Sequence, residues 1–157
     1  MRGLAAAVDG HTTRMNSFLA ALAPMAGGAG IDAPRAPMVL LVDDEREALV
    51  VLENALVALG YRVTTAVNGA DALDKAALVQ PDIVVTDLLM PVVDGIALAK
   101  ALRSNPLTSQ TRIVMCSGVE EGRVRPLFNR YDAFLHKPYG IADLRTALSK
   151  LLHSPPG

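Results

Sequence analysis

The sequence contains a single cysteine, Cys116, and no excess of charge of either sign. One thiol cannot form an internal disulfide, which is consistent with a reducing cytoplasm. The net charge of −1 provides neither the basic field that attracts nucleic acid nor a polybasic face for a membrane. No apolar run is long enough to span a bilayer. The composition therefore predicts a soluble cytoplasmic protein that binds neither nucleic acid nor membrane.

The residues that are present suit one hydrophobic core with short appendages. A chain of 157 residues with 51% hydrophobic residues can fill a single domain. We expect 1–37 to be a flexible extension rich in Ala, Gly and Pro, in which Met15–Ala23 forms at most a short amphipathic helix. A signal peptide and a translation start at Met15 or Met38 are alternative explanations of this segment. The folded domain is expected over 38–153, with a tail at 154–157.

From Met38 onwards, short apolar runs alternate with amphipathic helical segments. This alternation predicts a parallel sheet wrapped by helices, with five strands and five helices. The second strand is the more polar, so we expect it at an edge of the sheet. Asp44 and Asn68 are placed to cap the first and second helices, and Gly60 to end the first. The predicted strands are Val39–Val42, Tyr61–Val67, Ile83–Asp87, Ile113–Cys116 and Ala133–His136.

The third strand ends in a carboxylate, Asp87. Its apolar run is too short for a helix, and it is typical of a strand buried on both faces. Met90-Pro91 cannot continue the ladder, because proline lacks an amide hydrogen and disfavours helix at the residue before it. The chain must turn there, which leaves Asp87 at the carboxyl edge of the sheet, where open parallel sheets bind ligands. Taken alone, this acid could equally serve to hold a loop.

Polar residues also stand at the ends of three other strands: Asp43 and Asp44, Ser117, and Lys137. In the flavodoxin-like order 2-1-3-4-5 these strands lie side by side, about 4.8 Å apart, so the acids meet Asp87 in one pocket. Three close carboxylates repel one another, and Mg²⁺ is the hard cation that relieves the repulsion. The Lys137 side chain can cover most of the roughly 10 Å to Asp87.

Together these groups are the parts that phosphoryl transfer needs: a carboxylate nucleophile, a metal, an ammonium and a hydroxyl donor. Each residue also has a simpler explanation. Asp43 or Asp44 could be only a helix cap, Ser117 a loop hydroxyl, and Lys137 a solvent-facing side chain. Their joint occurrence at consecutive strand ends favours a shared site.

The strand ends carry four motifs: Val42-Asp43-Asp44-Glu45, Asp87-Leu88-Leu89-Met90-Pro91 with Asp94-Gly95, Ser117-Gly118, and Phe134-Leu135-His136-Lys137-Pro138. With these motifs, residues 38–153 resemble a receiver domain of the two-component response-regulator family, a flavodoxin-like (βα)5 doubly wound fold. The resemblance implies that Asp87 accepts a phosphoryl group from a phosphohistidine of a sensor histidine kinase or histidine phosphotransfer protein. Mg²⁺ would be held by Asp43, Asp44, the Asp87 carboxylate and the backbone carbonyl of Leu89.

The resemblance also assigns the remaining motif residues. Ser117 and Lys137 would bind the phosphoryl oxygens, and Phe134 would be the aromatic residue whose rotamer reports phosphorylation. The Lys137-Pro138 bond would be cis. The protein would then be a phosphoacceptor that assists its own phosphorylation and dephosphorylation rather than an enzyme. Because nothing after Leu152 could form a DNA-binding domain, we expect the output to be contact with an unidentified downstream protein.

The segment between Ser117 and Lys137 departs from the family pattern. It is shorter than usual, and Gly122 and Pro126 weaken its helix, by roughly 1 and 3 kcal/mol in a helix interior. Gly118 also stands where alanine is commoner. We therefore expect either that the partner protein is unusual or that the fourth helix, over Glu120–Asn129, is partly irregular.

Three other functions are weighed against phosphoacceptance. A receiver-like adaptor would bind partners without being phosphorylated. An aspartyl-nucleophile phosphohydrolase fits poorly, because such enzymes want a second acid two residues after the nucleophile, where this chain has Leu89. Flavin or nucleotide binding is disfavoured because the acids Asp43-Asp44-Glu45 would repel a phosphate at the end of the first strand.

Overall fold

A computed structural model describes residues 33–155 of the chain. Within that range five strands and five helices alternate. The strands are β1 (Met38–Val42), β2 (Arg62–Ala66), β3 (Ile83–Asp87), β4 (Arg112–Ser117) and β5 (Ala133–His136). The helices are α1 (Arg46–Ala58), α2 (Gly69–Val79), α3 (Gly95–Ser104), α4 (Glu121–Val124) and α5 (Ile141–His153).

All strands are parallel, in the order β2-β1-β3-β4-β5. This is the flavodoxin-like doubly wound sheet that the sequence predicts, with the polar β2 at one edge. Register brings the end of β1 level with the end of β3, because Val42 pairs with Thr86. Asp87 in turn pairs with Cys116, and Ser117 with His136. The carboxyl ends of four neighbouring strands therefore meet at one edge of the sheet.

The core lies on both faces of the sheet, since side chains alternate between faces along each strand. Leu40, Val84 and Met115 face α2, α3 and the short α4. Leu41, Val85 and Cys116 face α1 and α5. β1 is buried throughout and β3 is buried up to Thr86, which explains why their sequences are continuous apolar runs rather than alternating ones.

Of the two predicted helix caps, one is confirmed and one is wrong, and a third cap, at Asp94, was not predicted. Asn68 accepts a hydrogen bond from the backbone amide of Asp71 at 2.8 Å and caps α2, as predicted. Asp94 caps α3 in the same way. The prediction that Asp44 caps α1 is wrong, because the helix begins one residue later and its N-cap, Glu45, makes no side-chain cap. Asp44 is instead exposed at the acidic edge of the sheet.

The fourth helix is the least regular element of residues 33–155. The predicted stretch over Glu120–Asn129 contains only the four helical residues Glu121–Val124, and its N-cap makes no side-chain hydrogen bond. Gly122 lies inside this turn and Pro126 follows it, which accounts for the early end. The expectation of a partly irregular fourth helix is confirmed.

Three expectations concern the start of the chain. The short helix expected at Met15–Ala23, the signal peptide and the alternative start sites lie outside the described residues. None of the helices between residues 33 and 155 combines the length and the apolar character that crossing a bilayer requires.

Candidate phosphorylation site

Three carboxylates converge where β1 and β3 end. Asp43 and Asp44 follow β1, Asp87 is the last residue of β3, and one oxygen from each lies within 4.8 Å of the others. Asp43 is 7% exposed. Its Oδ1 accepts a hydrogen bond from the backbone amide of Glu45 at 2.9 Å, which fixes the orientation of the carboxylate. The predicted pocket of acids is therefore present.

Lys137 reaches this pocket from the end of β5. Its Nζ lies 3.5 Å from Asp43 Oδ2 and 3.4 Å from Asp87 Oδ1, so one ammonium bridges two of the three acids. The backbone amide of Lys137 donates a hydrogen bond to the Ser117 carbonyl at 2.8 Å, and the bond to Pro138 is cis, as the resemblance implies. The lysine is thus held on its backbone side by the neighbouring strand.

The electrostatics of the pocket reflect crowding of like charges. Burial raises the pKa of Asp87, and the Asp43 carboxylate raises it further, against the opposing effect of the Lys137 ammonium. Burial alone would lower the pKa of Lys137, but the carboxylates of Asp43 and Asp87 outweigh it and raise that pKa. Lys137 therefore remains charged at physiological pH.

Ser117 ends β4 beside the acids and is 1% exposed. Its Oγ accepts a hydrogen bond from the backbone amide of Val119 at 2.9 Å, and a hydroxyl that accepts one bond can still donate its own hydrogen. Phe134 of β5 pairs with Met115, which lies two residues before Ser117 on the same face of β4. The ring of Phe134 is partly buried against the core on that face.

The loop between β3 and α3 follows Asp87 closely. The Gly95 amide donates to the Leu88 carbonyl at 2.9 Å, and a Cβ at Gly95 would overlap the Asp87 carbonyl oxygen. Only glycine therefore allows this turn to close against the strand end. Leu89, whose backbone carbonyl the resemblance assigns to the metal, lies in this loop and is 66% exposed.

Sequence reasoning missed two neighbours of the acids, Cys116 and Tyr139. Cys116 pairs with Asp87, and both residues alternate onto the same face of the sheet. With Asp43 and Asp87, Cys116 and Tyr139 line a small cavity of about 10 Å³ beneath the carboxylates. Burial raises the pKa of the Cys116 thiol to about 12, so the thiol is not a nucleophile. The position of Tyr139 directly after the Lys137-Pro138 motif was the available signal.

A groove opens beside the pocket, between α1 and the loop that joins β5 to α5. Its volume is about 610 Å³, and Asp43 and Lys137 form the end nearest the acids. Val51 and Leu52 supply apolar surface along it, and Val51 is 63% exposed. The other lining residues are Glu45, Glu47, Ala48, Pro138 and Tyr139.

The donor set suits a divalent metal. All three side chains are carboxylates, which are the oxygen ligands that Mg²⁺ and other hard cations bind. One ammonium, that of Lys137, faces Asp43 and Asp87, so the acids carry excess negative charge that a cation would neutralise. The residues therefore fit a magnesium site.

Comparison with known proteins agrees with this geometry. Residues 39–149 match the family described as response regulator receiver domain. The transcriptional regulatory protein PrrA of Mycobacterium leprae is 36% identical over 123 residues, which are 78% of this chain and 52% of that protein. PhoP of Bacillus subtilis, a regulator of alkaline phosphatase synthesis, is 32% identical over 73% of this chain and 48% of its own length. This chain thus spans about half the length of the curated relatives it matches.

Two solved structures extend the comparison to the fold. The chemotaxis response regulator CheY4 of Vibrio cholerae has a TM-score of 0.70 and 28% identity, covering 74% of this chain and 98% of its own. The response regulator TrrA of Thermotoga maritima, solved with Mg²⁺ and BeF, has a TM-score of 0.66 and 26% identity over 73% of this chain and 98% of its own. The match over most of the sequence and the shared fold show that this chain belongs to the response regulator receiver domain family of two-component signal transduction.

Proposed function

We propose that Asp87 is the phosphoacceptor of this receiver domain, and that the phosphoryl group comes from a phosphohistidine of a sensor histidine kinase or histidine phosphotransfer protein. The observation that carries the proposal is the position of Lys137 Nζ, within 3.5 Å of both Asp43 and Asp87 where three carboxylates meet. Within this proposal 38–153 is the receiver, 1–37 an N-terminal extension and 154–157 a tail.

The chemistry is a displacement at phosphorus. A carboxylate oxygen of Asp87 attacks the phosphorus, the bond from phosphorus to the histidine nitrogen breaks, and that nitrogen keeps the electron pair. Charge then builds on the phosphoryl oxygens, and Lys137 and Ser117 are the donors at the neighbouring strand ends that can bind them. The Asp43 carboxylate, oriented by the Glu45 amide, holds Lys137 in place for this role.

The proposed site also includes a magnesium ion, which would balance the negative charge of the three acids. Asp43, Asp44 and Asp87 would hold the ion together with the backbone carbonyl of Leu89. When bound, Mg²⁺ neutralises part of the negative charge on the transferring phosphoryl group. TrrA, the relative solved with Mg²⁺ and BeF, supports this assignment because it shares the fold.

Phosphorylation would be read out through Ser117 and Phe134. An acyl phosphate at Asp87 gives the Ser117 hydroxyl a strong acceptor to move towards, and the movement vacates space that the Phe134 ring can fill. Phe134 lies on the face of the sheet that Ser117 shares, which supports this coupling. A downstream protein would then bind the altered surface.

The groove beside α1 is our candidate docking surface for the phosphodonor. Asp43 and Lys137 line the groove and also belong to the acidic pocket, so a protein seated in the groove would bring its histidine near Asp87. Val51 and Leu52 provide apolar contact area, while Glu45 and Glu47 would favour basic residues on the donor.

The test is the mass of the intact protein after incubation with acetyl phosphate. We expect a gain of one phosphoryl group that requires Mg²⁺ and is lost in Asp87→Asn. The matched control is Asp74→Asn, which removes an exposed acid of α2 away from the strand ends and should leave the gain unchanged. No gain in the wild-type protein would contradict the proposal and favour the adaptor instead.

A further inference from the structure

The segment that follows β4 has little local structure to hold it. Helix α4 is one turn long, without a side-chain cap, and it contains Gly122. Two apolar anchors hold the segment to the core, Val124 at 2% exposed and Phe128 at 8%. Leu127 between them is 70% exposed. Apart from its own Val124, α4 is therefore held in position by side chains that lie outside the helix.

Tyr131 provides such a contact from the loop before β5. Its hydroxyl donates a hydrogen bond to Glu121 Oε1 at 2.9 Å, at the first residue of α4. Its ring centroid lies 5.8 Å from that of Phe134, with the planes tilted by 51°, and 6.4 Å from that of Phe128. One side chain thus contacts both the aromatic residue assigned to the switch and the helix next to it.

The charges around this contact keep it formed at physiological pH. Burial, followed by the Glu121 carboxylate, raises the pKa of Tyr131, so the phenol remains a neutral donor. Hydrogen bonds from Arg125 and then Tyr131 lower the pKa of Glu121, so the acceptor remains ionised. The Arg125–Glu121 ion pair, at 2.7 Å, has its arginine side chain 65% exposed and is therefore screened by solvent. Of the two partners of Glu121, Tyr131 is less exposed to solvent than Arg125.

We propose that Tyr131 is a positioning residue that couples the ring of Phe134 to α4. The inference rests on the proposed function, in which phosphorylation moves the Phe134 ring towards Ser117. Because the Tyr131 ring packs on Phe134, that movement removes one wall of the Tyr131 site. The tyrosine then shifts, its hydrogen bond to Glu121 lengthens, and α4 loosens. Phosphorylation at Asp87 would in this way change the surface that carries Leu127.

The coupling is tested by hydrogen exchange of residues 119–130, measured with and without Mg²⁺ plus beryllofluoride, which mimics the phosphoryl group. In the wild-type protein we expect exchange in this segment to rise several-fold when beryllofluoride binds. In Tyr131→Phe, which keeps the ring and removes the hydroxyl, exchange should already be fast without beryllofluoride and should change little on its addition. Glu121→Gln, which weakens the hydrogen-bond acceptor, should likewise show faster exchange without beryllofluoride and a smaller change on its addition.

Arg125→Gln is the matched control, because it removes the exposed partner of Glu121 and leaves the Tyr131 hydroxyl in place. It should retain the wild-type response. A Tyr131→Phe protein with the full beryllofluoride response, or a wild-type protein that binds beryllofluoride without any change in 119–130, would overturn the coupling and leave the proposed function intact. Failure of beryllofluoride to bind the wild-type protein, read from the exchange of Asp87 and its neighbours, would overturn both.

Discussion

The glycines near the loop after β3 and those in the segment after β4 differ in how much space surrounds them. After β3, Gly95 packs so closely on the strand that a Cβ would overlap the Asp87 carbonyl oxygen, and a Cβ at Gly69 would lie 2.5 Å from Val93 of the same loop. After β4, a Cβ at Gly118 or Gly122 would meet no atom within 4 Å. We call the loop after β3 the closed loop, because other atoms pack tightly around it. We call the segment after β4 the open loop, because there is free space at its glycines.

Under the proposed function, this difference separates the segment that carries the phosphoacceptor from the segment that responds to phosphorylation. The loop after β3 follows Asp87, the proposed phosphoacceptor, directly, and Gly95 packs against the Asp87 carbonyl and the Leu88 backbone. The segment after β4 can change position at low cost, because α4 is short and makes few contacts of its own. The tightly packed loop and the loosely packed segment follow neighbouring strands, β3 and β4.

The largest effect is expected from Gly95→Ala, which adds a methyl group where the closed loop has no space for one. The added methyl group must displace the Asp87 carbonyl and the Leu88 backbone, so we expect a loss of about 1–3 kcal/mol in the free energy of unfolding, measured by urea denaturation. Phosphorylation by acetyl phosphate should slow as well, because Asp87 moves. Gly118→Ala is the control, and equal losses in the two variants would contradict the contrast between the loops.

A substitution at Val92, in the same loop, should raise the stability of the protein rather than lower it. Its φ of 70° is in the left-handed region, which is strained for a β-branched residue, and its side chain is 93% exposed and so contributes little packing. Val92→Asn should therefore stabilise the protein by about 1 kcal/mol in thermal or urea unfolding. A destabilised Val92→Asn protein would show that the valine makes a contact that outweighs the strain.

Gly122→Ala tests the open loop. There is space for the methyl group and no positive φ to strain it, so the substitution should stabilise α4 by about 0.4–1 kcal/mol through the unfolded state. Hydrogen exchange of residues 119–130 should slow accordingly. Unchanged exchange with normal stability would mean that contacts outside the helix, rather than its helical propensity, limit the opening of this segment.

The smallest effect is expected from Asp87→Asn in the presence of a chelator. The pKa of Asp87 is raised in the folded state. Between the pKa of this carboxyl in the unfolded chain and its pKa in the folded protein, the folded protein therefore binds more protons than the unfolded chain. The ionised carboxylate therefore destabilises the fold above its folded pKa, and Asn should raise the free energy of unfolding at neutral pH. Because Lys137 offsets part of the repulsion, the gain should be small. It should vanish at a pH low enough to protonate Asp87 in both states.

Much of the fold could be predicted because its signals are local. Continuous apolar runs marked the buried strands, and Asn68 marked the start of α2. The cap at Asp44 was predicted wrongly, because its neighbour Asp43 turns towards the Glu45 amide and the helix begins later. The positive φ of Val92 had no signal in the sequence. Val92 is the central residue of a tight turn in which the Val93 amide donates to the Pro91 carbonyl at 2.9 Å, and a valine is not a residue type that marks such a turn.

By itself, the sequence determined which residue types stand at the end of each strand, and the alternation of apolar runs and helices determined a parallel sheet. Because the carboxyl ends of such a sheet share one edge, those two facts already brought acids, a hydroxyl and an ammonium together. Only the tertiary structure decided the distances from Lys137 to two acids, and the contact of Tyr131 with both Phe134 and Glu121. Such contacts depend on side-chain directions across packed elements, which residue spacing along the chain does not specify.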